Sequence, residues 1–93
     1  MVDGISEGKI RALYVIGEDL LTADANWGRV HEVLAKLELF VVQDLFFTKT
    51  ARYADVILPA SGSLEKEGTF TNTERRIQRL YEVFEPFADT KPD

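Results

Sequence analysis

Three short apolar runs, separated by polar segments with helical patterning, constrain this chain more than any other feature. The first lies in "KIRALYVIG", is rich in β-branched and aromatic residues, and stops at Gly17. It reads as a buried strand over residues 11–16 followed by a turn. The second, "LFVVQDLF", is too short for a helix of its own and is broken by Gln43 and Asp44, so it reads as a second buried strand. The third, "ADVILPAS", is a strand ended by Pro59. Between the first two, "NWGRVHEVLAKL" spaces Trp27, Val30, Val33, Leu34 and Leu37 by three and four, which predicts an amphipathic helix from Asn26 or Trp27 to Leu37. Between the second and third, "TKTARYA" predicts a short helix with Thr48 as its N-cap.

Strands alternating with helices in the order β-α-β-α-β form a parallel sheet with right-handed crossovers. The expected fold is a three-layer, Rossmann-like α/β domain. At 93 residues the chain is expected to be a single domain, residues 1–93, near the lower end of what buries its own core. "RRIQRLYEVFEPF" reads equally as a strand or a short helix, and "ADTKPD", residues 88–93, as a frayed tail.

Composition narrows the function classes. Apolar residues at 45% and charged residues at 29% are those of a packed globular protein. No apolar run approaches the roughly 18 residues that span a bilayer, and the first residues carry an acid where a signal peptide needs a base. A cytoplasmic location without membrane contact is the expectation. A net charge of -5 argues against a nucleic-acid partner, and Arg75, Arg76 and Arg79 form a local basic patch that reads equally as a solvated face. Cysteine is absent, which excludes disulfides, thiolate catalysis, iron–sulfur ligation and cysteine zinc sites within these residues.

A parallel sheet delivers the loop after every strand to one edge, where ligands bind. The loops here are "GEDLLTAD", "QDLFFTKT" and "PASGSLEKEGTFTN", each with hydroxyls or glycine beside carboxylates. Gly17 permits a sharp turn that exposes amide donors. Glu18, Asp19 and Asp44 offer acceptor oxygens, and a carboxylate after the second strand suits a ribose hydroxyl or a base edge. Plainer readings stand beside these: an Asx-turn at Asp19, a solvated Glu18, and Asp44 as the cap of the next helix. His31 has no partner carboxylate at metal-ligand spacing and reads as packing or surface. A Gly-x-Gly-x-x-Gly fingerprint is absent. The residues alone therefore describe an α/β domain that binds something polar at one edge.

"YVIGEDL" and "VVQDLFFTKTARYADVILPASGSLEKEGTFTNTERRIQ" resemble the molybdopterin oxidoreductase family, most closely the catalytic subunit of molybdenum- or tungsten-dependent formate dehydrogenases. The resemblance runs from about Ile10 to Asp93. It implies a piece of the α/β domain that binds one molybdopterin guanine dinucleotide through its nucleotide end. Gly17, Glu18 and Asp19 match the family's Gly-x-Asn/Asp turn against the cofactor, with Leu20 standing where many relatives have proline. Gln43 and Asp44 match the pair after the second strand, the aspartate being expected to hold the guanosine. Thr48 and Thr50 fall in the hydroxyl-bearing turn that follows. Lys66 matches a basic residue reaching the phosphate region, Gly68 a close backbone approach, and Asn72 a donor to pterin or phosphate oxygens.

The same resemblance implies that the [4Fe-4S] cluster and the cysteine or selenocysteine metal ligand belong to other segments of a longer subunit. This chain alone is then not expected to oxidise formate, and its partners are the remainder of that subunit and its electron-transfer subunits. A rival reading from the residues is a phospho-receiver or other nucleotide-binding module, with Glu18, Asp19, Asp44, Thr50 and Lys66 in its acidic pocket. Receivers of the doubly wound order need five strands, whereas three are clear here.

Overall fold

The computed structural model describes residues 1–23 and 27–93, and it divides into two units, Met1–Leu58 and Pro59–Asp93. The first begins with α1 (Val2–Ser6), β1 (Ala12–Ile16), α2 (Leu20–Ala23) and α3 (Trp27–Leu34). It continues through β2 (Leu39–Asp44) and a 3-10 helix (Thr50–Tyr53) to β3 (Val56–Pro59). The strands form one parallel sheet in the order β1-β2-β3, with Ala12 opposite Leu39 and Ile16 opposite Gln43. The α/β class and parallel sheet follow the order of apolar runs in the sequence.

Register decides which residues meet. Because side chains alternate along a strand, Leu13, Val15, Phe40 and Val42 share one face. There Val15, Phe40 and Val42 are buried with Val30 and Leu34 of α3 and Ala51 of the 3-10 helix. Fully burying a side chain of this size is worth about 1.5–3 kcal/mol, so this cluster holds the unit together. The opposite face carries Tyr14, Ile16 and Leu39, which remain 50%, 48% and 45% exposed. At the start of the sheet, Glu38 accepts two bonds from the Arg11 guanidinium, 2.6 Å from Nε and 2.5 Å from Nη2.

Several boundaries differ from the sequence expectation. α3 stops at Leu34 rather than Leu37, because its end tightens: Lys36 N–H bonds Val33 O at 3.0 Å and Leu37 N–H bonds Leu34 O at 3.1 Å. The segment after β2 winds as a 3-10 helix, with Thr48 Oγ1 accepting from Ala51 N–H at 3.2 Å. The Asn26 start proposed for the long helix lies outside the described residues. α1 and α2 are additional. In α1, Gly4 lies so close to Ile10 that a Cβ there would stand 2.9 Å from Ile10 Cδ1. His31 packs its ring edge-on to Tyr53, with centroids 4.6 Å apart.

The second unit contains the antiparallel pair β4 (Gly68–Thr71) and β5 (Ile77–Leu80), with Gly68 opposite Leu80 and Thr71 opposite Ile77. Of the ambiguous "RRIQRLYEVFEPF" segment, Ile77–Leu80 is thus strand. The last residues of the chain are bonded within this unit. Lys91 N–H donates to Pro59 O at 3.1 Å and Lys91 O accepts from Ser61 N–H at 2.9 Å. Residues running alongside Pro59–Ser61 find partners for their backbone groups, which a free tail lacks. Among the described residues, no helix is long and apolar enough to cross a membrane.

Candidate functional site

The carboxyl ends of β1 and β2 lie side by side, and Gly17, Glu18, Asp19, Gln43 and Asp44 stand there or in the turns that follow. Gly17 follows β1 in the left-handed region, φ 62°, and its N–H donates to Gln43 O at 2.9 Å. A glycine takes this conformation without the Cβ clash that an L-residue meets. The bond extends the β1–β2 ladder by one rung and sets the turn against the end of β2. Glu18 is exposed beside it.

Gln43 is buried, and Tyr14, on the same face one rung earlier, donates its hydroxyl to Gln43 Oε1. Asp44 is half-buried at the strand's end. Among the described residues, its carboxylate accepts one bond, from Phe46 N–H at 3.4 Å, the long end of hydrogen bonding. That Asx-type turn ends β2 two residues before the apolar run ends, and Phe46 and Phe47 project outward at 75% and 66% exposure. Asp44 does not cap the 3-10 helix. The oxygens of Asp44 keep acceptor capacity at the rim.

Asp19 behaves differently. Its backbone carbonyl accepts from Thr22 N–H at 3.0 Å and Ala23 N–H at 2.9 Å, so it opens α2. Its Oδ2 accepts from Thr22 Oγ1 at 2.6 Å, and its Oδ1 accepts from both Thr50 N–H at 3.2 Å and Thr50 Oγ1 at 2.5 Å. Thr50, completely buried, in turn accepts from Leu21 N–H at 3.1 Å. Burial raises the Asp19 pKa, but the bonds from Thr22 and Thr50 and the nearby Lys49 charge outweigh it and hold the carboxyl below its ordinary value. The Asx-turn reading of Asp19 and the hydroxyl of Thr50 are parts of one internal network. Thr48 is half-buried and turned to Ala51 N–H.

Lys66, Gly68 and Asn72 belong to the second unit. Lys66 pairs with Asp93, and both side chains are mostly covered. Gly68 opens β4, and a Cβ added there meets nothing within 4 Å. Nothing in the chain's own packing demands glycine at that position, and the backbone there stays open to close approach. Asn72 closes the hairpin: its Oδ1 accepts from Arg76 N–H at 3.0 Å, its N–H donates to Arg76 O at 3.1 Å, and Arg75 takes φ 62° between them. Glu74 pairs with Arg76 at 3.5 Å rather than with Arg75, and Arg79 pairs with Glu67 at 3.2 Å.

The sequence reading does not single out Tyr14 or Thr22. Thr22 stands three residues after Asp19, the spacing of a side chain that closes a helical turn, and was legible on that ground. Tyr14 meets Gln43 only through the register of two strands, which a single sequence does not display.

The arrangement suits a polar, hydroxyl- and amine-bearing ligand at the β1–β2 rim: an open glycine turn, an exposed Glu18 and a lightly engaged Asp44. The molybdopterin oxidoreductase family matches residues 1–93. The chain is 56% identical over its whole length to "Putative formate dehydrogenase YrhE" of Bacillus subtilis (strain 168), covering 10% of that protein. It is 59% identical over its whole length to "Probable oxidoreductase YjgC" of the same organism, covering 9% of it. Acetylene hydratase from Pelobacter acetylenicus shares the fold with a TM-score of 0.86 and 26% identity, over 99% of this chain and 13% of that one. The chain thus spans about a tenth of the length of the curated relatives it matches. By sequence and by fold, it belongs to the molybdopterin oxidoreductase family.

Proposed function

We propose that this chain holds the nucleotide end of a molybdopterin guanine dinucleotide in a formate dehydrogenase-like oxidoreductase. The observation that carries this is the rim itself: Gly17 is bonded to Gln43 O at 2.9 Å, and the neighbouring Asp44 accepts one long bond. A guanine edge or ribose presents N–H and O–H donors, and a lightly engaged carboxylate at the end of a central strand is complementary to them. Gln43 sets the end of β2 through its backbone carbonyl, with the exposed Glu18 beside the glycine turn. Thr48 and Thr50 shape the turn that follows. In the second unit, Lys66, Gly68 and Asn72 are assigned to phosphate and pterin oxygens.

The cofactor, with molybdenum or tungsten, supplies the redox chemistry, and the protein's part is placement. In this reading formate is oxidised to carbon dioxide, with loss of two electrons and a proton, by a longer chain. That chain brings a metal ligand and a [4Fe-4S] cluster, neither of which these cysteine-free residues hold. Its partners are the rest of the catalytic subunit and the electron-transfer subunits. Family membership favours this over the phospho-receiver reading.

A titration of the chain with guanosine diphosphate, followed by backbone amide NMR, tests the proposal. Saturable shifts at Gly17, Asp44 and Gly68 are expected, while magnesium with a phospho-donor leaves the chain unmoved. Shifts in the second experiment alone overturn it.

A further inference from the structure

The geometry points to Asp19 as a positioning residue that sets the ligand rim by fastening the turn after β1 to the turn after β2. The inference rests on the nucleotide-binding reading and deepens it. The two turns are far apart in sequence, and Gly17 N–H to Gln43 O is the ladder's last rung between them. Beyond that rung the backbones part. Asp19 then bridges them: Oδ1 takes both donors of Thr50, and Leu21 N–H returns to Thr50 Oγ1 at 3.1 Å. Oδ2 is held by Thr22 within the same turn.

Both oxygens are thus engaged within the chain, and Thr50, the partner of Oδ1, is completely buried. Hydrogen bonds to a charged acceptor are short and strong, and here they converge on one carboxylate. Residues 17–19 on one side and 44–50 on the other are therefore held as one piece. Gly17 and Asp44, the groups that face outward, inherit their separation from that link. A ligand contacting both gains only if they are pre-arranged, because ordering them on binding costs affinity.

Four forms of the chain separate this from direct contact: wild type, Asp19→Asn, Thr50→Val and the double variant, with Thr50→Ser as the conservative control. The first readout needs no ligand. Amide exchange at Thr50 and Leu21 should speed up in Asp19→Asn, while core amides such as Phe40 and Val42 keep their protection. Unchanged exchange at Thr50 and Leu21 overturns the proposal.

The second readout is affinity for guanosine diphosphate. Each single variant should lose about tenfold, the effect of one charge-assisted hydrogen bond. The double variant should lose no more than either, and Thr50→Ser should stay near wild type. Additive losses mean that Asp19 touches the ligand itself, which also overturns the proposal. If wild type binds no guanosine diphosphate, the nucleotide reading fails and the link is still judged by amide exchange. A loss of core protection in Asp19→Asn shows a general structural role and refutes positioning.

Discussion

Gly17 N–H donates to Gln43 O at 2.9 Å with Gly17 at φ 62°, so one residue both completes the ladder and turns the chain out of it. Any side chain at this position meets the left-handed penalty, about 1–2 kcal/mol for an L-residue. Gly17→Ala should lower the unfolding free energy measured in urea by that amount without changing the helix signal in circular dichroism. It should also weaken guanosine diphosphate binding, because the turn is bonded to Gln43, the neighbour of Asp44. A variant as stable as wild type shows that the turn relaxes freely.

Acid should weaken the first unit through Asp19. Burial raises its pKa, and the hydrogen bonds from Thr22 and Thr50 outweigh that, leaving the folded carboxyl below its unfolded value. A group of this kind stabilises the fold fully above its unfolded pKa of about 3.9 and loses that contribution as pH falls through the folded value. Stability should therefore drop below about pH 4. Asp19→Asn removes the titrating group, so its urea midpoint should fall less over the same range while being lower at neutral pH. Parallel pH curves for the two proteins contradict the network.

The core depends on few residues, which makes it sensitive. Phe40 is 1% exposed and packs with Val15, Leu34 and Ala51. Phe40→Ala should cost about 3–5 kcal/mol from lost burial and the cavity left behind. Small domains are stable by only about 5–15 kcal/mol, so much of the variant should be unfolded at 37 °C by circular dichroism. Retained cooperative melting near the wild-type temperature contradicts the assignment of Phe40 to the core.

What the sequence displays depends on how local each determinant is. β1 and β2 are legible because "LYVI" and "LFVV" are continuous apolar runs, and α3 because Val30, Val33 and Leu34 repeat at helical spacing. β4 and β5 are not, because "GTFT" and "IQRL" are short, almost wholly exposed, and paired through a turn fixed by Asn72 and the positive φ of Arg75. α1 has five residues, of which Ile5 is buried and Val2 partly so, which is too short a run for periodicity to be read. At the rim, Gly17 and Asp44 follow from strand ends, whereas the link from Asp19 to Thr50 joins residues 31 apart and needs the tertiary fold. The resemblance groups Asp19 with the cofactor-facing residues, and the fold adds that its carboxylate accepts bonds from Thr22 and Thr50.

The exposed apolar side chains on the second face of the sheet predict how the isolated chain behaves in solution. Register puts Tyr14, Ile16 and Leu39 on the side away from α3, at 50%, 48% and 45% exposure. Contiguous exposed apolar surface of this kind drives association, and the chain covers only 9–10% of relatives that are far longer. The 93-residue chain should therefore self-associate as its concentration rises. Leu39→Lys replaces one of these side chains with a charge at the amino end of β2, far along the strand from Asp44. Sedimentation should shift toward monomer in this variant, with an unchanged circular dichroism spectrum and unchanged affinity for guanosine diphosphate. Association that persists undiminished places the contact elsewhere, on other exposed apolar side chains such as Phe46 and Phe47 or Phe84 and Phe87.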